Sequence, residues 1–188
     1  KNILKNIISN IRFAEKSLKK KFDACIILGD RYEMMAISLA CINLNIPILH
    51  LCGGSYTEGS LDNIYRYNIS RMSYAHFVET KYHKDNLVKN NIRKNIFTIG
   101  APGIEDFNKN LLKKSDVEKK LKLKFEKNKK ILVCCFHPNT LLTVNKNIQD
   151  LKKFMFFLKK IDQNIIFTYP NADEGFLEYI DILKKFSR

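Results

Sequence analysis

Two loops that carry carboxylates follow the two short apolar runs in the first third of the chain. Asp30 comes just after the run at residues 25–28, and Asp62 closes a glycine-rich loop that opens at Gly53, after the run at residues 46–50. Apolar runs of this length are typical of buried parallel strands, whose carboxyl ends form the ligand-binding edge of an open α/β sheet. Carboxylates beside glycine-rich loops at such an edge predict acid/base chemistry on a phosphorylated ligand.

Each of these residues also has a simpler structural interpretation, which the sequence leaves open. Asp30 is as well suited to cap a helix that begins near Tyr32 as to meet a ligand. His50 is flanked by apolar residues, which is more typical of a hydrogen-bonded structural histidine. Asp62 and Arg66 lie four apart, so on a helix they share a face, either as a surface ion pair or as part of the site.

The second half of the chain places further polar residues after apolar runs. His137 follows one run, and residues 168–173 occupy the corresponding position after the next. Helix N-termini predicted at both places could hold phosphate or ribose, although His137 could equally be a turn residue. The paired glycines Gly53 and Gly54 either let the backbone approach a ligand closely or form an ordinary strand-to-helix turn.

The spacing of apolar residues predicts alternating strands and helices that would position these loops. We predict helices over residues 2–20, 33–43, 61–72, 81–89, 144–160 and 172–185, and strands over residues 25–28, 47–51, 75–78, 95–99, 130–136 and 164–168. Thr80 is the expected N-cap of the helix over residues 81–89. Short links between strands and helices favour parallel sheets covered on both faces. A lysine-rich helical stretch over residues 103–128, with a capping box at residues 115–118, is typical of a linker.

Composition excludes several classes of protein. The chain has 188 residues, is 45% hydrophobic and carries a formal net charge of +14, but its 33 basic residues are mainly lysines and it has no Trp. Nucleic-acid sites favour arginine and interleaved aromatic residues, so we interpret the lysines as solvated helix faces that could attract an anionic substrate. No apolar run approaches the roughly 18 residues of a transmembrane helix, and we expect no membrane partner.

The five cysteines include no CxxC pair, and an odd number of thiols in apolar elements is typical of a reducing cytoplasm. We therefore expect no metal site. The chain begins inside a predicted helix without an initiator methionine or the apolar region of a signal peptide. We expect it to be a piece of a longer protein, because its last 60 or so residues are too few for a complete doubly wound domain.

Taken in order, the motifs resemble the UDP-N-acetylglucosamine 2-epimerase family, especially its hydrolysing branch. The segments that carry the resemblance are residues 29–33, 45–50, 53–54, 57–59, 62–66, 73–77, 100–102, 136–138 and 169–173. The resemblance implies an α/β fold of two Rossmann-like, glycosyltransferase-B-like domains with parallel sheets and an active site in the cleft between them. Both domains would be incomplete here: residues 1–110 from the N-terminal domain, 111–128 as a helical linker, and 129–188 as the start of the UDP-binding domain.

The resemblance also implies roles for individual residues. Asp30 or Asp62 would act as base and later as acid, while Arg66 and His137 would stabilise the departing diphosphate. Substrate contacts are implied for a further set: Arg31, Glu33, Gly53, Gly54, Glu58, Asn171 and Asp173. Non-hydrolysing relatives carry Glu where this chain has Cys52, which favours the hydrolysing branch; that carboxylate role would be absent or moved, for example to Glu58.

The implied reaction eliminates UDP from a UDP-N-acetylhexosamine and adds water to the resulting 2-acetamidoglucal. The product is a free manno-configured sugar, and neither a metal nor a nicotinamide cofactor is required. The sequence leaves the substrate open between UDP-N-acetylglucosamine and UDP-diacetylbacillosamine, precursors on routes to sialic and legionaminic acids. We expect a homo-oligomer for the full-length protein. The remaining alternatives are a glycosyltransferase of the same fold, a non-catalytic UDP-sugar-binding module and, last, a nucleic-acid binder.

Overall fold

The fold was analysed in a computed structural model, which describes residues 3–18, 22–104, 109 and 111–187. The chain divides into two compact units, residues 1–109 and 110–188. Positions 2, 19 and 20 of the predicted first helix lie outside the described residues. Among the described helices, none combines the length and the apolar character needed to span a bilayer.

The first unit alternates helices and strands. Its elements are α1 (Ile3–Leu18), β1 (Cys25–Leu28), α2 (Tyr32–Asn43), β2 (Ile48–Leu51), α3 (Asp62–Met72), β3 (Ala75–Val78), α4 (Lys81–Lys89) and β4 (Ile96–Thr98). The four strands form one parallel sheet in the order β1-β2-β3-β4. Leu28, Leu51 and Phe77 are register partners across the first three strands, so the carboxyl ends of these strands meet at one edge.

Helices cover one face of this sheet. Ile27 and Ile48 from the strands pack with Cys41 of α2 and Ile69 of α3 in a buried core cluster. On the opposite face Ile26 and Leu28 remain 67% and 60% exposed. The expectation that both faces are covered is therefore wrong for this unit. The strands follow one another in sequence order, and right-handed crossovers between such neighbours place every connecting helix on the same side.

The second unit repeats the alternation on a smaller scale. It contains α5 (Lys114–Leu121), β5 (Ile131–Cys134), α6 (Val144–Leu158), β6 (Asn164–Phe167) and α7 (Phe176–Phe186), and the two strands are parallel. Its core cluster joins Leu151 and Met155 of α6 to Tyr179 and Leu183 of α7. The parallel α/β fold predicted from the sequence is confirmed in both units.

Two predicted helix starts are wrong. The capping box over residues 115–118 is absent: the N-cap of α5 is Lys113, two residues before Ser115, and Glu118 instead accepts a hydrogen bond from the backbone N–H of Phe125 at 2.9 Å. α7 begins at Phe176 rather than Ala172, because Gly175 precedes it with a φ of +84°. A left-handed backbone does not continue a right-handed helix, so residues 171–174 remain in the loop after β6.

Candidate active site

Three neighbouring strands of the first sheet end beside one another in polar residues. Asp30 follows β1, Cys52 follows β2 and Glu79 follows β3. The backbone N–H of Cys52 donates to the carbonyl oxygen of Phe77 at 2.9 Å, which ties the end of β2 to the end of β3. This is the carboxyl edge at which parallel α/β sheets bind their ligands.

A buried arginine holds Asp30 at this edge. Arg66 lies on α3 with 5% of its surface exposed, and its Nε donates to Asp30 Oδ2 at 2.7 Å. Its Nη2 donates to the same oxygen, so the guanidinium holds the carboxylate through two bonds. The alternative that Asp30 caps α2 is wrong, because the N-cap residue is Arg31 and it makes no side-chain capping bond.

The remaining hydrogen bonds of Arg66 organise the loop before α3. Nη1 donates to the carbonyl oxygen of Ser55 at 3.0 Å and to Asn63 Oδ1 at 2.7 Å. Asn63 in turn bonds both the N–H and the carbonyl oxygen of Thr57, at 3.0 Å and 2.6 Å. A guanidinium has five N–H donors, and these contacts use four of them within the protein. Arg66 therefore links Asp30 to the glycine-rich loop.

Asp62 is the first residue of α3. Its Oδ2 accepts a hydrogen bond from Ser60 Oγ at 3.1 Å, and its backbone N–H donates to the same hydroxyl at 3.1 Å. Because Asp62 and Arg66 were predicted to share a helix face, a surface ion pair between them was one of the two interpretations. Arg66 is instead buried and forms its ion pair with Asp30, which lies 36 positions earlier in the sequence.

His50 is a structural histidine, as its apolar neighbours favoured. It is fully buried, its Nε2 lies 3.0 Å from the carbonyl oxygen of Gly29, and its Nδ1 lies 2.9 Å from Ser70 Oγ. A carbonyl oxygen only accepts, so Nε2 carries the hydrogen and Nδ1 accepts from the Ser70 hydroxyl. Burial lowers the pKa of His50, which keeps the ring neutral. The imidazole therefore supports the turn that presents Asp30.

The two glycines after β2 allow close packing within the protein. A Cβ at Gly53 would lie 3.0 Å from Ser70 Oγ and 3.1 Å from His50 Nδ1. Gly54 has a φ of +79°, and a Cβ there would collide with the backbone carbonyl of His83. Both positions thus have a structural reason to lack a side chain. Their contact with substrate stays a prediction.

Three other substrate contacts were predicted in the first unit, at Arg31, Glu33 and Glu58. Arg31 and Glu33 pair with each other across 3.6 Å at the start of α2. Glu58 is exposed in the turn before α3. The carboxylate that the structure brings to Cys52 is that of Glu79, not Glu58.

Glu79 was missed by sequence reasoning. Burial, the hydrogen bond to Glu79 and the negative charge of that carboxylate raise the pKa of Cys52 to about 11, so its thiol stays protonated near neutral pH. His83 Nδ1 lies 3.0 Å from Glu79 Oε2. The available signal was the position of Glu79 directly after a predicted strand, the position that also singled out Asp30.

The second unit places its candidate residues together at the ends of β5 and β6. The backbone N–H of Asn171 donates to His137 Nδ1 at 3.2 Å, and His137 Nε2 lies 3.0 Å from Cys135 Sγ. Because Nδ1 accepts from this N–H, it carries no hydrogen, and the ring hydrogen is on Nε2. Asp173 lies in the same loop, where its carbonyl oxygen accepts from the N–H of Phe176 at 3.1 Å.

Among the described residues, no group of three or more His, Cys, Asp or Glu side chains is arranged to hold a metal ion.

The sequence matches the family model for UDP-N-acetylglucosamine 2-epimerase over residues 3–188. The chain belongs to this family. The resemblance found in its motifs is thereby confirmed, and the match includes both units.

Curated relatives carry names from the hydrolysing branch of the epimerase family. The chain is 39% identical over 173 residues to the GDP/UDP-N,N'-diacetylbacillosamine 2-epimerase (hydrolyzing) of Campylobacter jejuni, covering 88% of the chain and 43% of that protein. It is 34% identical over 171 residues to the UDP-N,N'-diacetylbacillosamine 2-epimerase (hydrolyzing) of Legionella pneumophila, covering 85% and 44%. The chain thus spans less than half the length of these relatives.

Solved structures of other family members share the fold. The UDP-GlcNAc 2-epimerase of Neisseria meningitidis bound to UDP-GlcNAc superposes with a TM-score of 0.74 at 20% identity, over 95% of this chain and 51% of that one. The UDP-N-acetylglucosamine 2-epimerase of Rickettsia bellii gives a TM-score of 0.71 at 24% identity, over 95% and 49%. These epimerases confirm the glycosyltransferase-B-like class of fold for the chain.

Proposed function

We propose that the protein is a hydrolysing 2-epimerase that converts a UDP-N-acetylhexosamine to UDP and a free manno-configured sugar. The observation that carries the proposal is Asp30, held by the buried guanidinium of Arg66 at the carboxyl edge of a parallel sheet in an epimerase-family chain. A carboxylate in this position is suited to proton transfer at a bound sugar.

UDP-N,N'-diacetylbacillosamine is the substrate that we propose first. The relatives at 39% and 34% identity are named for that sugar, whereas a Neisseria meningitidis relative named UDP-N-acetylglucosamine 2-epimerase is 28% identical. UDP-N-acetylglucosamine is the second candidate. A cytoplasmic location and a homo-oligomeric full-length enzyme belong to the same proposal.

The reaction needs a base because the C2 hydrogen of the sugar is not acidic by itself. Its removal accompanies cleavage of the C1–O bond, whose electrons leave with UDP while a C1–C2 double bond forms. Asp30 suits the base, because two N–H groups of Arg66 fix the position of its carboxylate at the sheet edge. Water then adds at C1, and a proton reaches C2 from the opposite face.

The departing diphosphate needs hydrogen-bond donors. Its negative charge grows as the C1–O bond breaks, and donors aimed at that charge lower the barrier. In the second unit, His137 is held by the Asn171 amide in the tautomer that carries its hydrogen on Nε2. We assign the donor role to this N–H, which would exchange its contact with Cys135 Sγ at 3.0 Å for the diphosphate, with Asn171 as the residue that positions the ring. Asp62, half-buried at the start of α3, is proposed as a further acid/base or hydroxyl-binding group.

Isotope labelling of the full-length enzyme tests the proposal. In deuterated water the released manno-sugar should carry one deuterium at C2, and in oxygen-labelled water its C1 oxygen should come from solvent, with an equal amount of UDP. A product still attached to UDP would assign the protein to non-hydrolysing epimerisation. Full retention of the C2 hydrogen would exclude elimination and favour a glycosyltransferase.

A further inference from the structure

Glu79 occupies a protected position at the carboxyl edge of the first sheet. It is the first residue after β3, and the hydrogen bond from Cys52 N–H to the Phe77 carbonyl sets the end of β2 beside it. Its side chain is 20% exposed, and its Oε2 is buried. Partial burial of a carboxylate is unfavourable because the charge loses solvation. A partly buried carboxylate at the ligand-binding edge of the sheet is therefore a candidate for a functional role.

The groups that face Glu79 differ from those that face Asp30. Glu79 Oε2 lies 3.0 Å from His83 Nδ1 on α4, and its carboxylate lies close enough to the Cys52 thiol at the end of β2 to raise the pKa of that thiol. The neutral ring of His50 lies within electrostatic reach of Glu79. Whereas Asp30 is bound to a permanent cation, Glu79 contacts a thiol and an imidazole.

The two carboxylates lie on either side of Cys52. Asp30 follows β1 and Glu79 follows β3, and both charges act on the Cys52 thiol that ends the strand between them. Adjacent strands are about 4.8 Å apart, so the ends of β1 and β3 are about 10 Å apart. A ligand bound over the end of β2 would therefore have one of these strand-end carboxylates on each side of it.

Inversion at C2 requires proton transfer on opposite faces of the sugar. We propose that Glu79 delivers the proton to C2 of the 2-acetamidoglucal in the addition half of the reaction. Asp30 removes the proton in the elimination half. This inference rests on the proposed 2-epimerase function. Glu79 takes a proton from solvent before the addition step. It then gives this proton to C2 as the electrons of the C1–C2 double bond form the new C–H bond, water oxygen bonds to C1, and that water loses a proton to solvent.

The test uses the full-length enzyme with UDP-N,N'-diacetylbacillosamine and the variant Glu79→Gln, which keeps the size of the side chain. We expect formation of the manno-sugar to fall by at least about a hundredfold. UDP should still be released, now with 2-acetamidoglucal in place of the finished sugar. The control is Asp85→Asn, which neutralises an exposed carboxylate on α4 and should leave both products within about twofold of the wild type.

Two further variants guard against a folding defect. Glu79→Asp keeps a carboxylate and should form the sugar at a rate between those of the wild type and Glu79→Gln. Adding Cys52→Glu to Glu79→Gln moves the carboxylate to the neighbouring strand end, and we expect at least about a tenfold recovery of sugar formation.

Two results would overturn the assignment of Glu79. One is near-normal formation of C2-deuterated sugar by Glu79→Gln, and the other is a loss of UDP release in the same proportion as sugar formation. Failure of the proposed function itself would look different, because the wild-type enzyme would then incorporate no solvent hydrogen at C2.

Discussion

Replacement of Arg66 by lysine should destabilise the first unit although it preserves the charge. The guanidinium of Arg66 bonds three separate partners: the carboxylate of Asp30, the carbonyl oxygen of Ser55 and the side chain of Asn63. A single ammonium on a flexible stem cannot reproduce this planar fork. Because Arg66 is only 5% exposed, water cannot fully replace the lost partners.

The expected cost follows from the number of hydrogen bonds lost. We assume that the lysine keeps one partner and loses two, and a bond to a charged group contributes about 1.5–3 kcal/mol. The Asp30 side chain is 23% exposed and regains some solvation, so we place the loss at about 2–4 kcal/mol of unfolding free energy. For a unit of this size, that corresponds to a fall of about 10–20 °C in melting temperature.

Urea denaturation of the chain, followed by far-ultraviolet circular dichroism, measures this loss. The matched control is Arg31→Lys, since Arg31 is the neighbouring arginine with 42% of its side chain exposed. We expect that variant to change stability by no more than about 0.5 kcal/mol. Equal and small effects of the two substitutions would show that the fork of Arg66 does not support the Asp30 loop.

Further outcomes can be measured on the same protein. In the full-length enzyme, Asp30→Asn and His137→Ala should each lower turnover by at least about a hundredfold; near-normal turnover of either variant would remove that residue from the mechanism. Burial lowers the pKa of His76 from 6.5 to about 4, so the unfolded chain binds the extra proton first as pH falls. Stability should therefore decline between about pH 6.5 and pH 4, by up to about 3 kcal/mol from His76, and a flat urea midpoint across that window would contradict the buried neutral ring. With its pKa near 11, the Cys52 thiol should react with iodoacetamide much more slowly at neutral pH than the exposed Cys135, as mass spectrometry of labelled peptides can show.

Local sequence signals predicted correctly the elements whose ends are marked by a glycine or a capping residue. The strand at residues 25–28 and the helix at residues 81–89 have the predicted bounds, since a glycine ends the first and Thr80 caps the second. The Thr80 side chain accepts from the His83 N–H as expected. These features depend on neighbours within a few residues, which a sequence displays directly.

Contacts between residues far apart in the sequence were not predicted from these local signals. The spacing of Asp62 and Arg66 suggested that they share a helix face, but the acidic partner of the buried arginine is Asp30, on a different loop. Helix periodicity describes only neighbours on one helix, whereas burial of a guanidinium is decided by which loops the sheet brings together. Likewise, α7 begins late because Gly175, a single residue with a left-handed backbone, breaks a pattern that otherwise favours a helix.

The parallel sheet explains why the sequence singled out Asp30 and why it did not single out Glu79. Every strand of such a sheet ends at the same edge, so the first polar residue after each strand is a candidate for the site whatever its local motif. Asp30 follows a glycine and Cys52 precedes two, and glycines drew attention to both loops. Glu79 precedes a capping threonine instead, which suggests only a helix start, although β3 carries it to the same edge. Strand order therefore identifies residues at this edge that glycine content does not. The proposed role of Glu79 predicts that moving the carboxylate from residue 79 to residue 52 preserves sugar formation better than removing it.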